Sequence, residues 1–324
     1  MDFSSCDKQG GVELFAIVKS CEKKNAKNGT IYLDMVLSDK SGEISAKLWD
    51  FKDNVQQLPQ INALVKVRGS LQQYNNSEQL IIQRIRPAAA SDNVDVRDYV
   101  KSASYTGEQM YDMLAGIVNG FKDAELKKLI GAILEENREQ LLYYPAAFRL
   151  HHAINGGLLC HTLSIVRLAQ SVCDIYPYID RELLLSGAII HDIEKLSEYS
   201  VSSTGLADGY TVRGELVGHL VMGAMLVQKK SEQLGISEQT ATLLEHMLIS
   251  HHGVPEYGAA MRPAFIEAQV LSQLDLLDAQ IYEMAEAVGG IDKGEFTGRL
   301  WALDNRKFYN HGRTQPQAAS AKLD

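Results

Sequence analysis

Short runs in which apolar and polar residues alternate fill the first 90 positions. Residues 12–18, 30–37, 43–49, 64–71 and 79–85 are rich in Val, Ile, Leu, Tyr and Trp, and Ile44-Ser45-Ala46-Lys47-Leu48-Trp49 is apolar at every second position. That period of two predicts strands with one buried and one wet face. Turn chemistry separates the runs at Lys27-Asn28-Gly29, Asp39-Lys40-Ser41-Gly42 and Asn75-Asn76-Ser77. Five strands in so short a stretch, with residues 53–60 available for a short helix between strands three and four, have the layout of an OB-fold barrel.

Beyond Pro87 the period changes. Ala88-Ala89-Ala90-Ser91-Asp92-Asn93 opens an expected linker over 91–105, and apolar residues then recur at three- and four-residue spacing. The pattern predicts helices over 109–118, 124–139, 158–173, 181–196, 219–234, 238–250 and 267–288. Pro177, Gly235 and Gly253 supply stop signals. The polar stretch from His311 predicts a flexible tail over 311–324. The expected organisation is two domains, all-β then all-α: a barrel over 1–90 and a helical bundle over 106–310.

Composition narrows the class. The 324 residues carry 45% hydrophobic and 23% charged residues, enough to build cores for two domains. The longest apolar stretch, 183–190, falls short of the ~20 residues of a membrane span. The first residues lack the basic-then-apolar order of a secretory signal. Four cysteines form no C-x-x-C pair. A cytoplasmic protein without membrane attachment is expected. The net charge of −9 is uneven, with 12 basic against 10 acidic residues in the first 90 and 20 against 31 in the remainder. Affinity for a polyanion would therefore come from local patches in the first third.

Eight of the nine histidines lie between positions 151 and 252. They occur as His151-His152, His161, His191-Asp192, His219, His246 and His251-His252, and Asp275 interrupts an apolar helix further on. One His-Asp dipeptide carries little weight. Here, however, His191-Asp192 directly follows an apolar run, and so many polar groups at buried positions are costly without a common partner. A divalent metal is such a partner. A mixed imidazole and carboxylate set favours Mn2+, with Co2+, Fe2+, Ni2+ or Zn2+ as alternatives, in one or two ions. The two side chains of His191-Asp192 converge only if a helix end points at the ion, and Asp192 could then bridge two ions. His246 lies five residues before His251, about 140° away around a helix. It is assigned to support of the ligands, with direct ligation as the alternative.

The order H…HD…H…HH…D resembles the HD superfamily of metal-dependent phosphohydrolases. The segments His151-His152-Ala153, Gly156-Gly157-Leu158-Leu159-Cys160-His161-Thr162, His191-Asp192-Ile193-Glu194-Lys195, Gly214-Glu215-Leu216-Val217-Gly218-His219, Ser250-His251-His252-Gly253 and Pro263…Glu267-Ala268 narrow the likeness. With the barrel in front, the chain resembles the YhaM-type 3′-5′ exoribonucleases over roughly residues 10–308. The resemblance implies an HD-type α-helical bundle in which His161, His191, Asp192 and Asp275 hold a first metal. His219 and the His251-His252 pair would hold a second ion or contact the phosphate. It further implies that Lys195 neutralises phosphate charge, giving Asp192, Lys195 and His252 catalytic roles. Cys160 and Glu194 depart from the family pattern, which commonly has an acidic residue and Gly there. His151 and His152 either line a substrate channel or are ordinary helix residues.

The implied reaction is metal-dependent hydrolysis of phosphodiester bonds, releasing nucleoside 5′-monophosphates from single-stranded RNA or single-stranded DNA; a homo-oligomer is compatible with the sequence. In the barrel Phe15, Tyr32, Trp49, Phe51 and Tyr74 offer stacking faces, although some must fill the core. Tyr32 and Trp49 are the candidate base contacts, and Lys23, Lys24 and Lys27 the candidate backbone contacts. Two other readings fit the same pattern: a phosphodiesterase of free or cyclic nucleotides, and a non-catalytic nucleic-acid adaptor. The barrel counts against the first and the intact His/Asp series against the second.

Overall fold

The computed structural model describes residues 3, 11–26, 29–39, 42–49, 51–52, 57–74, 77–148, 152–202, 204–318 and 322–323. It divides into two compact units, residues 1–101 with 201–208 and residues 102–200 with 209–324.

In the first unit, β1 (Gly11–Asn25), β2 (Ile31–Asp39), β3 (Gly42–Leu48), β4 (Leu64–Tyr74) and β5 (Ser77–Pro87) close into a barrel in the order β1-β2-β3-β5-β4. This is the expected OB-fold. Strand β1 outruns its predicted length because it serves both halves: its start pairs with β4, its end with β2, and the register shifts between Val18 and Ser20. Parallel pairing of β3 with β5 closes the ring. Alternate residues fill the core, among them Leu33, Met35, Leu37, Ile44, Ala46 and Leu48. Of the short helix expected over 53–60, residues 53–56 lie outside the described residues and 57–60 are not helical.

A bulge breaks the alternation in β5. Leu80 and Ile82 point inward, and a strict period of two would send Arg84 and Arg86 inward as well. The register against β4 slips between Arg68 and Gly69, so that Arg68 pairs with Arg84 while Gly69 pairs with Ile82. The extra residue, Gln83, flips the phase and turns both arginines out. Gly69 makes this possible, because a Cβ there would run into the carbonyl of Ile81.

The second unit is built from α1 (Gly107–Asn119), α2 (Ala124–Glu136), α3 (Arg138–Leu141), α4 (Gly157–Ile175), α5 (Arg181–Ile190), α6 (Lys195–Glu198), α7 (Val212–Leu234), α8 (Glu238–Ser250) and α9 (Ile266–Gly289). Between α6 and α7 the chain forms a hairpin of β6 (Tyr199–Val201) and β7 (Ala207–Tyr210), of which residues 201–208 group with the first unit. Helix α4 is central and packs on α1, α5 and α9. It is long and apolar enough to cross a membrane, contrary to the expectation that no segment is, but 61% of its apolar window is buried inside the protein. It is a core helix. All residues from Leu183 to Ile190 are buried, which explains why α5 reads as one continuous apolar run.

Three further expectations change. The helix expected over 181–196 stops at Ile190, turns through 191–194 and restarts as α6. The expected linker at 91–105 contains 3-10 turns at Ala90–Asp92 and Val96–Asp98, and the chain to residue 101 groups with the barrel. In the tail expected to be flexible, Leu323 is buried and its carbonyl accepts a hydrogen bond from Arg167 Nε at 2.7 Å.

The bulge gives a direct test. Gly69→Ala is expected to destabilise the barrel by about 1–3 kcal/mol through overpacking, read as a lower melting temperature. A variant melting with the parent would contradict this backbone approach.

Candidate metal centre and nucleic-acid interface

Two helices end in the same way. His191 is the C-cap of α5 and His251 the C-cap of α8. The last carbonyls of a helix lack intrahelical partners, and each imidazole takes one three residues back. His191 Nδ1 donates to Ala188 O at 2.9 Å, and His251 Nδ1 to Leu248 O at 2.7 Å. A carbonyl only accepts, so both Nδ1 atoms carry hydrogen, and Nε2 is the nitrogen left to act as a ligand. His252 repeats the device, with Nδ1 donating to Tyr257 O at 2.7 Å. Helix C-termini also carry the negative end of the backbone dipole, which favours a cation in front of them.

Carboxylates fix the other two histidines. On α4, His161 Nδ1 donates to Asp278 Oδ2 at 2.8 Å. On α7, His219 Nδ1 donates to Glu198 Oε2 at 2.9 Å, while the amide of His219 lies 3.2 Å from Glu198 Oε1. That amide is free because α7 breaks at Gly218, whose φ of 74° and ψ of 157° suit glycine alone.

Asp192 sits where these rings converge. Its Oδ2 lies 3.3 Å from His191 Nε2 and 3.6 Å from His161 Nε2, and Asp275 Oδ1 lies 3.1 Å from His161 Nε2. Its Oδ1 lies 3.3 Å from His219 Nε2 and 3.7 Å from His251 Nε2. The two oxygens therefore face two histidine groups, His161 with His191 and His219 with His251 and His252. Lys195 Nζ closes on Asp192 Oδ2 at 2.7 Å.

Nearly every atom aimed at the middle is an acceptor. The Nε2 atoms of His161 and His191 approach to 3.4 Å, although each ring already donates through Nδ1. Asp192 Oδ1, His219 Nε2 and His251 Nε2 are buried without a hydrogen-bond partner among the described residues. Each such atom costs about 1–3 kcal/mol. A divalent cation satisfies them all, and the imidazole-carboxylate chemistry of the donor set fits one. Burial alone would lower the His161 pKa, but its hydrogen bonds to Asp275 and Asp278 lift it to about 10. A proton is thus held where a metal would sit. Burial opposes ionisation of Asp192 and Asp275 too, yet Lys195 and the histidines keep Asp192, and the histidines keep Asp275, well below the ordinary carboxylate range. Burial and the neighbouring His251 bring His252 down to about 4, so its ring is neutral near pH 7.

A cavity of about 550 Å³ opens onto this centre, lined by Asp192, Lys195, His251, His252 and Asp275 together with Tyr257, Gln273 and Gln280. The structure thus brings together His161, His191, Asp192, Lys195, His219, His251, His252 and Asp275. His246 is not brought to the cluster: its Nε2 accepts the Ala264 amide at 2.9 Å and anchors the loop before α9. Cys160 is buried on α4, and burial pushes its thiol up to about 12. His151 lies outside the described residues. His152 is neither a helix residue nor part of the cavity lining. It is buried with φ at 54°, stacks on Tyr282 at 4.1 Å, and places Nε2 3.0 Å from the same Asp278 oxygen that holds His161. Sequence reasoning missed Asp278 and Glu198. Asp278 had a signal, a second acid three residues after Asp275 on the same helix.

On the barrel, Tyr32 and Trp49 pair with ring centroids 4.6 Å apart, and Lys47 Nζ lies 5.2 and 5.6 Å from them. Trp49 is exposed, whereas Phe51 is a core residue. Lys23 lies over Phe51, and Lys24 is tied to Asp34 at 2.6 Å and Glu22 at 3.2 Å. Lys27 and the side chain of Tyr74 lie outside the described residues.

These features define the class: a helical hydrolase domain with a His/Asp centre suited to divalent metal, preceded by a nucleic-acid-binding type of barrel. Residues 158–280 match the family model of the HD domain, and residues 12–88 match that of an OB-fold nucleic acid binding domain. The 3′-5′ exoribonuclease YhaM of Listeria monocytogenes serotype 4b (strain CLIP80459) is 39% identical over 301 residues, 92% of this chain and 95% of its own length. The proteins of the same name from Bacillus licheniformis (strain ATCC 14580) and Bacillus subtilis (strain 168) are 38% and 35% identical, each over 92% of this chain and 94% of their own. The chain belongs to the YhaM family of 3′-5′ exoribonucleases.

Asp278→Asn should weaken Mn2+ binding 10–100-fold in a calorimetric titration, the range for a residue that orients a ligand, and His246→Ala should leave it near the parent value. Parent-like affinity in Asp278→Asn would contradict the orienting role.

Proposed function

We propose that this chain is a metal-dependent 3′-5′ exoribonuclease that degrades single-stranded RNA in the cytoplasm to nucleoside 5′-monophosphates. The observation that carries the proposal is the set of buried, unpartnered acceptors on Asp192, His219 and His251, facing a cavity. Membership of the family supports it, as does the match of the barrel to a nucleic-acid-binding model.

His161, His191, Asp192 and Asp275 would hold one ion, and Asp192, His219 and His251 a second. Mn2+ suits a set in which imidazoles outnumber carboxylates, whereas Mg2+ prefers oxygen ligands and keeps its waters. Such ions supply an activated water and polarise the phosphoryl oxygens. Hydrolysis forms a bond from water oxygen to phosphorus and breaks the bond to the preceding O3′, which leaves with a proton. Lys195 stays cationic in the cavity wall and holds Asp192. His252, neutral and fixed by Tyr257, presents Nε2 to the cavity as second-ion ligand or proton acceptor. The barrel holds the strand, with Tyr32 and Trp49 as stacking faces.

Assays with 5′- and 3′-end-labelled RNA and single-stranded DNA test the proposal. Loss of the 3′ label first, more activity with Mn2+ or Co2+ than with Mg2+, and none in chelator are expected. Asp192→Asn should remain folded and lose at least about a hundredfold in rate, since even orienting residues cost 10–100-fold. Full activity in chelator, or in Asp192→Asn, would contradict the metal centre. Cleavage of cyclic nucleotides without RNA hydrolysis would favour a small-substrate enzyme, and strand binding without hydrolysis an adaptor.

A further inference from the structure

We propose that the β4–β5 face of the barrel is a phosphate-backbone track for single-stranded nucleic acid, with Arg68 and Arg84 as its principal contacts. The inference rests on the reading of the barrel as the strand-binding domain and deepens it by naming the face.

Lys66 and Arg68 lie two apart on β4, and Arg84 and Arg86 two apart on β5. The register sets Lys66 opposite Arg86 and Arg68 opposite Arg84. Four cations therefore form a block about 7 Å along the strands and 5 Å across them. The block includes all three arginines of the first 90 residues.

Like charges directly opposite each other in a sheet are destabilising. The fold nevertheless creates these pairs. Without the extra residue Gln83, and without a glycine at 69 to admit the Ile81 carbonyl, Arg84 and Arg86 would face the core. Bulges re-aim side chains, and this one aims two guanidinium groups alongside two further cations.

Only half of the charge is offset, by two carboxylates among four cations. Glu13 lies opposite Arg68 in the register and in the same groove but makes its ion pair with Lys66, at 2.7 Å, and Asp92 holds Arg86 through both carboxylate oxygens at 2.6 Å, also lying 3.9 Å from Lys66. Among the described residues, Arg68 and Arg84 make no ion pair, and both are exposed. Two guanidinium forks thus stand side by side with the planar geometry that suits phosphate oxygens. A groove of about 450 Å³ runs between the four cations.

Apolar surface beside the cations favours a nucleic acid over a lipid headgroup or an acidic protein. Phe15 pairs with Lys66 in register and lies 5.4 Å from its Nζ. A second hollow, of about 640 Å³, shares Ile85 and Arg86 with the groove and is lined by Pro59 and the exposed Leu58. Bases against apolar surface with phosphates along cations is how single strands are bound without sequence preference. The Lys23–Lys24 pair near the end of β1 is weaker by comparison, because Lys24 is occupied by two carboxylates.

The test uses the full chain, fluorescein-labelled single-stranded RNA, and chelator to prevent cleavage, with anisotropy measured from about 50 to 200 mM salt. In Arg68→Gln/Arg84→Gln, affinity is expected to fall about tenfold, and the slope of log affinity against log salt to become shallower by about 1–2. Arg68→Lys/Arg84→Lys keeps the charges; it should retain the parent slope while losing part of the affinity, and it serves if the glutamine pair melts below the parent. Unchanged affinity and slope in the glutamine variant, with binding lost in Tyr32→Ala/Trp49→Ala, would overturn this face while leaving strand binding intact. A parent that binds no RNA would overturn the strand-binding reading itself. Binding of the parent to anionic phosphatidylglycerol vesicles in place of RNA would overturn the choice of ligand.

Discussion

The hydrogen bond from each imidazole Nδ1 to an acceptor held by the fold is the constraint on which the centre depends. At the ends of α5 and α8 the acceptor is a carbonyl the helix cannot use itself. At His161 and His219 it is a buried carboxylate. In every case the bond commits Nδ1 to the fold and turns Nε2 toward Asp192. Five chain segments distant in sequence thus deliver acceptors to one point, and the energetic penalty of that convergence is what a cation removes. A proton on His161 partly fills the same role.

The supporting residues explain features that carry no chemistry themselves. Glu198 grips both the backbone and the ring of His219, which requires the break at Gly218 and close packing of Gly214 on the Glu198 carbonyl. The Gly-x-x-x-Gly-His segment is therefore a backbone device that presents one ligand. Asp278 joins His152 to His161, and room for the His152 carbonyl comes from the missing Cβ of Gly157. A strained φ at His152 persists because its carbonyl, its ring and Asp278 all hold it. In the barrel, likewise, Gly69 sets where the arginines point.

Much of this was legible in the sequence, for identifiable reasons. Strict alternation exposed the strands, and three- and four-residue spacing the helices. The ligand series stood out because polar residues interrupted apolar runs. Helix ends were less legible. The apolar run of α5 continues into Ile193 and Leu196, so periodicity could not show that the helix stops at Ile190, although His191-Asp192 at a helix end was the condition for convergence. Position around an ideal helix separated His246 from His251, but the expected support of the ligands is not what His246 does: its ring takes the Ala264 amide, a partner across a loop that spacing cannot show. Glu198 gave no signal, because its partner lies across a backbone break that only the fold reveals. The β5 bulge left a trace that strand reading passed over: apolar positions 80 and 82 give way to 85, a slip of one residue in the alternation.

An Mn2+-loaded crystal, measured for anomalous scattering, tests the central claim most directly. Two peaks per chain are expected, one among His161, His191 and Asp275 and one beside His219 and His251. Asp192 should touch both, and every histidine should bind through Nε2 with its Nδ1 bond intact. Ions bound through Nδ1, or a single ion away from Asp192, would contradict it.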